Sequence, residues 1–245
     1  MYAVYLNDVW FRYEDNIEWT LYDIDMNLKL GTSVGLVGPT GSGKTTLAKI
    51  IKGLLKPTQG EVYILGKKID DYSSIELAKT VGYLFQNPTH QIFSLTVYDE
   101  IAFGPRNIGM ENIEDKVNKI AEKFGLIDKL SLSPFNLSTG EKERIAIASV
   151  LVMEPEILIL DEPTLGQDYK NYNIIKQVVY ELKKEGKTTV LISHEIDLIN
   201  SCVDEIIALK NGKIMFLGNK RDFLKNEDLL EELGFLDKNF NLVLR

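Results

Sequence analysis

The sequence has 245 residues, with 28 Lys and Arg against 36 Asp and Glu and a formal net charge of −8 at pH 7. That length gives one large domain, or one domain carrying an inserted subdomain, with room for a sizeable core. Hydrophobic residues at 44% and charged residues at 26% exclude disorder and fibre, and an acidic balance without a Lys/Arg stripe argues against a nucleic-acid partner. The single cysteine, Cys202, excludes an internal disulfide, and with only two histidines beside it no His/Cys metal cluster is expected from this chain alone.

No segment reaches the roughly 18 consecutive apolar residues of a membrane helix; the most apolar stretch, 150–160, is interrupted by Glu154, Pro155 and Glu156. The N-terminus lacks a cationic region followed by an apolar core, so no secretory leader is read and a cytosolic chain is expected.

Residues 2–30 alternate apolar and polar with aromatic and β-branched enrichment, which predicts antiparallel strands. Ser33-Val34-Gly35-Leu36-Val37 reads as a buried strand, followed by a helix over about 43–54 and further strands at 61–65 and 80–85. From 96 to 153 the pattern is helical, in segments 96–108, 111–125 and 138–152. Apolar strands return at 157–160, 188–192 and 205–209, with a helix over about 169–184 and short helices over 220–234. Strands alternating with helices give an α/β fold: a mostly parallel sheet, an N-terminal antiparallel β subdomain and an inserted helical subdomain over about 88–153. The domain runs over 1–235, and 236–245 is a short tail.

Gly38-Pro39-Thr40-Gly41-Ser42-Gly43-Lys44-Thr45 fits G-x-x-x-x-G-K-[ST] at every fixed position, between a predicted strand and a predicted helix. Small glycines let successive backbone N–H groups face a phosphate chain, and the helix N-terminus adds its positive dipole end. Lys44 is expected to reach the β- and γ-phosphates and Thr45 to sit on Mg²⁺. A ligand-free packing turn does not require Lys then Thr after the last glycine, and a dinucleotide fingerprint fails because Thr46 stands where its third glycine belongs. The loop is therefore a P-loop of a nucleoside-triphosphate site, and the fold a P-loop NTPase core.

Ile157-Leu158-Ile159-Leu160 ends in Asp161 and Glu162, at the carboxyl end of a buried strand where open α/β sheets bind ligands. Beside a complete P-loop, Asp161 is expected to hold Mg²⁺ and Glu162 to polarise an attacking water. His194 and Gln86 follow two further apolar strands. A lone histidine is more often structural, but at a strand end His194 is a candidate γ-phosphate contact. Ser138 and Glu141, three apart, form a capping box for the helix that follows, and a capped N-terminus with a small Gly140 is also an anion site.

These marks, in this order, resemble an ATP-binding-cassette ATPase over essentially the whole chain: Tyr13, the P-loop, Gln86, Leu137-Ser138-Thr139-Gly140-Glu141, Asp161-Glu162, Asp168 and His194. The resemblance implies that Tyr13 stacks on adenine, Gln86 links Mg²⁺ to a membrane partner, Glu162 is the general base, and Asp168 communicates between sites. It also implies head-to-tail pairing, in which Ser138, Thr139, Gly140 and Glu141 meet ATP on a second cassette, identical or paralogous. The run Phe85-Gln86-Asn87-Pro88, Gln91-Ile92-Phe93, Thr96-Val97 and Ile101-Ala102-Phe103-Gly104-Pro105 is similar to the ATPases of energy-coupling-factor transporters, which import vitamins, cobalt or nickel. Apolar residues bracketed by prolines also suit a groove for a partner helix, while Phe93, Ile101 and Phe103 read equally well as subdomain core.

Thr139 stands where the family mostly has glycine, and Leu165-Gly166-Gln167 departs from the usual segment before the aspartate; both imply a weaker contribution to the facing site. The expectation is an ATP-hydrolysing, Mg²⁺-dependent subunit at the cytoplasmic face of the cell membrane, bound to an integral membrane subunit near 86–105. A soluble cassette ATPase without a membrane subunit is the alternative. A P-loop phosphotransferase is disfavoured, since Arg106 and Arg144 alone lie between Gln86 and Asp161 to furnish a lid.

Overall fold

A computed structural model describes residues 1–14, 16–87, 91–163 and 169–236, the side chains of 169–171 excepted. The expected segment 165–168, including Asp168, and the tail beyond 236 lie outside the described residues, as do 88–90.

Two sheets carry the fold. The first is antiparallel, ordered β2-β1-β4-β5, from β1 (Tyr2–Phe11), β2 (Leu21–Lys29), β4 (Gln59–Ile64) and β5 (Lys67–Lys68). The second is ordered β10-β9-β3-β8-β7-β6, from β3 (Ser33–Val37), β6 (Val81–Leu84), β7 (Ile157–Asp161), β8 (Thr188–Ile192), β9 (Glu205–Lys210) and β10 (Lys213–Asn219). All its pairings are parallel except β9 with β10.

Alternation along the parallel strands splits the interior into two cores. Ile157 and Ile159 face the antiparallel sheet and α1 (Lys44–Lys52), whereas Leu158 and Leu160 face the helical side. Strands buried on both faces read as continuous apolar runs, which is why 157–160 was legible. On the helical side lie α3 (Val97–Asn107), α4 (Ile113–Lys123), α5 (Thr139–Leu151), α6 (Tyr169–Lys184) and α7 (Ile196–Cys202). The sequence pattern predicts a stripe through Ile145, Ala148, Ser149 and Val152 on this helix; Ser149 is only half-buried, while Ala146, Ile147, Val150 and Leu151 are buried as well, because α5 packs against both α3 and β6.

Several elements go beyond the sequence reading. Helix α2 (Ser74–Thr80) is closed by a capping box in which Ser73 and Glu76 exchange hydrogen bonds. Strand β10 lengthens the sheet, α7 follows β8, and α1 stops at Gly53 rather than 54. Short helices α8 (Lys220–Leu224) and α9 (Glu227–Glu232) close the described chain. Among the described residues no helix is long and apolar enough to cross a membrane.

Candidate active site

Four parallel strands end at one edge of the larger sheet, and each delivers a segment of the site. β3 feeds the loop 38–43, β8 leads to Ser193 and His194, β7 ends in Asp161 before Glu162, and β6 leads to Phe85 and Gln86. A cavity of about 290 Å³ lies between them, with Thr40, Gly41 and 43–46 on one wall and Gln86, Glu162 and His194 on another.

The loop's shape is fixed by residues without side chains. Gly38 has φ +143°, and a Cβ there would lie 2.0 Å from the carbonyl oxygen of Leu209 on β9. Gly43 caps α1, which has no acidic residue in its first turn, so the unpaired N–H groups and positive dipole end stay available to an anion. Lys44 Nζ curls back to donate to the carbonyls of Gly38 (2.8 Å) and Pro39 (2.9 Å). Burial lowers the Lys44 pKa, opposed by the nearby carboxylates of Glu162 and Asp161. Ser42 Oγ is buried with no hydrogen-bond partner, a polar atom left over inside the cradle.

Asp161, 2% exposed, accepts from Tyr83 OH at 2.7 Å on Oδ2 and from Thr45 Oγ1 at 3.4 Å on Oδ1. Burial raises its pKa, and the two hydroxyl donors pull it back. Two oxygen ligands thus converge from α1 and β7, a donor set suited to a hard cation. Mg²⁺ uses one or two protein groups plus substrate phosphates, so the residues present fit it. Glu162 has φ +50° and donates its N–H to Ile192 O at 3.0 Å. Its Oε1 accepts from His194 Nε2 at 2.8 Å.

The remaining expected residues fall in two places. Tyr13 stands beside the cavity rather than in its lining, with its hydroxyl 3.3 Å from Thr46 Oγ1 and its ring edge-on to Phe11. Ser138, Thr139, Gly140 and Glu141 form the N-terminus of α5, and none lines the cavity. Sequence reasoning missed Thr20, which lines the cavity and carried no signal, and Tyr83, whose signal was a buried hydroxyl in an apolar strand needing a partner.

Ser138 and Glu141 do form the expected capping box. The Ser138 N–H donates to Glu141 Oε2 at 2.9 Å, the Glu141 N–H donates to Ser138 Oγ, and Lys129 pairs with Glu141 Oε1 at 2.9 Å. Chiefly through the hydrogen bond from Ser138 Oγ, then Lys129 and the Ser138 N–H, the Glu141 carboxyl is held down to about 2 from an ordinary 4.5. A depressed folded value means that the stabilisation is complete above pH 4.5 and lost as pH falls toward 2. The Tm difference between the parent and Glu141→Gln is expected to be constant above that window and to shrink within it. A difference independent of pH across the window contradicts the pairing.

A phosphate-binding loop after an interior strand of a parallel sheet, backed by a buried carboxylate at the end of a nearby strand, defines a P-loop ATPase. The family model described as "ABC transporter" matches residues 21–165, and the chain belongs to that family. It is 39% identical over 236 residues to the energy-coupling factor transporter ATP-binding protein EcfA of Methanocaldococcus jannaschii, covering 95% of this chain and 84% of that protein. Among solved structures, cbiO1 of Clostridium perfringens, described as part of the ABC transporter complex cbiONQ, superposes with a TM-score of 0.81. It is 33% identical, with 94% of both chains covered. A dimeric ATP-binding cassette in a post-hydrolysis state bound to ADP and Pi superposes with a TM-score of 0.78 at 30% identity, covering 88% of this chain and 98% of that one. The chain is accordingly an ATP-binding, ATP-hydrolysing cassette.

Proposed function

We propose that the chain is the ATPase subunit of a membrane importer of the energy-coupling-factor type, serving vitamin or cobalt/nickel uptake at the cytoplasmic face of the cell membrane. The P-loop N–H groups of 40–45 hold the phosphate chain with Gly38 and Pro39 shaping the loop's entry, Lys44 exchanges its two carbonyl partners for β- and γ-phosphate oxygens, Thr46 adds a hydroxyl, and Tyr13 stacks on adenine. Thr45, Asp161 and Gln86 would hold Mg²⁺, which when bound offsets charge on the phosphate oxygens. Glu162 takes the proton of the attacking water on its carboxylate, and His194, already hydrogen-bonded to Glu162, turns its imidazole to the γ-phosphate.

Among the described residues, Ser138, Thr139, Gly140 and Glu141 are not part of this cavity's lining. A second cassette, identical or paralogous, supplies those residues in trans, and Asp168 communicates between the two sites. The dimeric relative supports this reading. The formal net charge of −8 argues against a nucleic-acid partner.

The observation that carries the membrane assignment is an exposed aromatic patch in the stretch of chain that follows Gln86. Ile92 and Ile101 are buried in the core, but Phe93 is 57% exposed and Phe103 48% exposed, their rings edge-to-face at 4.7 Å, with Leu95 81% exposed beside them. Glu100 accepts from the N–H groups of Phe93 and Ser94 and so holds the turn that presents the patch. A solvent-facing apolar patch fits a helix of an integral membrane subunit. Loss of a central aromatic anchor costs about 2 kcal/mol, roughly 30-fold in affinity. Phe103→Asp is therefore expected to weaken attachment to the membrane subunit by about that factor while ATP binding is unchanged, measured by co-sedimentation with native membranes and by nucleotide titration. Undiminished attachment would remove the patch from the docking site.

A further inference from the structure

We infer that Tyr83 is a positioning residue for the metal site: its hydroxyl commits Asp161 Oδ2, so that Oδ1 faces Thr45. The inference rests on the reading of Asp161 as a Mg²⁺ ligand.

Strand periodicity brings the two side chains together. In β7, Ile157, Ile159 and therefore Asp161 point to the α1 side of the sheet, and Tyr83 on the neighbouring strand packs into that same core. β6 and β7 run parallel with Tyr83 beside Ile159, so a long side chain from Tyr83 reaches the strand end where the carboxylate sits. The bond is short, 2.7 Å, and both residues are buried. Thr45 makes only a long contact of 3.4 Å to the other oxygen.

A carboxylate can rotate about its last bond and offer either oxygen. Among the described residues no ion pair fixes Asp161, and the Tyr83 O–H is its one short donor. The tyrosine is itself braced: its ring lies 4.5 Å from that of Phe85 at 50°. An O–H donated to a charged oxygen is a strong directional bond. Unlike an ammonium partner, the hydroxyl adds no positive charge at the oxygen it holds. Outer partners of this kind orient a metal-binding group, and removing them typically weakens metal affinity by tenfold or more.

The test uses the intact chain carrying Glu162→Gln, so that ATP is not consumed, with Mn²⁺ as the probe and its dissociation constant in the presence of ATP read by electron paramagnetic resonance. Tyr83→Phe removes one oxygen and keeps the ring. It is expected to weaken Mn²⁺ by about tenfold and to leave metal-free ATP binding, measured in EDTA, unchanged, with Tm lowered by only a few degrees for the lost buried bond. Added to Asp161→Asn, it is expected to have no further effect on Mn²⁺. If Asp161→Asn weakens Mn²⁺ and Tyr83→Phe does not, the inference alone is overturned. An equal loss of metal-free ATP binding in Tyr83→Phe also overturns it, because the residue is then structural. If Asp161→Asn itself leaves Mn²⁺ binding intact, the ligand reading falls and the inference with it.

Discussion

With Glu162 as the proposed general base, Glu162→Gln is expected to lower ATP turnover by about a thousandfold, within the range for removing a positioned general base, and to leave MgATP binding within a few-fold. Glu162 is 7% exposed, its backbone held by its own N–H to Ile192 O at 3.0 Å and its carboxylate by His194 Nε2 at 2.8 Å. Glutamine is isosteric and still accepts from His194, so the loop keeps its shape; what disappears is a carboxylate able to take a proton. About 4 kcal/mol of barrier corresponds to that factor. Single-turnover hydrolysis beside nucleotide titration separates the two quantities. A variant that hydrolyses at near-parental rate would move the base to another residue, and one that no longer binds MgATP would make Glu162 a structural group.

Gly38→Ala is expected to cost about 4 kcal/mol or more in stability, at the far end of single substitutions. The new Cβ would lie 2.0 Å from Leu209 O and 3.0 Å from Ser42 Oγ, at φ +143°. The Leu209 carbonyl is backbone and cannot withdraw freely. Leu209 follows Ala208, the last β9 residue paired with β3, and is itself paired with Ile214 of β10, so moving its carbonyl disturbs the sheet beside the phosphate loop. Gly41→Ala in the same loop is the control: its φ is +80°, but a Cβ there meets nothing within 4 Å. Only the left-handed backbone penalty of about 1 kcal/mol applies. For a chain of this size Gly38→Ala should lower Tm by about 10 °C and Gly41→Ala by about 3 °C. Equal shifts in a thermal melt would contradict the steric account.

The site was legible where chemistry is local in sequence. The phosphate loop announces itself in eight consecutive residues flanked by a strand and a helix, and Asp161 and Glu162 end an apolar run that had to be a buried strand. Ser138 and Glu141 were legible as a cap for the same reason, three positions being one helical turn. Tyr83 was not, because its partner lies 78 residues away and the two meet only through the pairing of β6 with β7. The run 92–103 was ambiguous for a further physical reason. Ile101 and Phe103 are two residues apart on α3, which places them on opposite sides of a helix, one in the core and one in solvent. Composition alone does not say which. Strand β10 escaped notice because, as an edge strand, it buries no residue fully, and α2 because it carries a capping box without a buried stripe.

The most direct test of the proposed role is capture of the tagged chain, carrying Glu162→Gln, from gently solubilised native membranes in ATP and Mg²⁺, with co-purifying proteins identified by mass. The account predicts a polytopic membrane subunit together with a second cassette, both retained in stoichiometric amounts and the membrane subunit lost with Phe103→Asp. Recovery of the chain alone, or with soluble proteins only, would contradict it and make this a cassette ATPase that works without a membrane subunit.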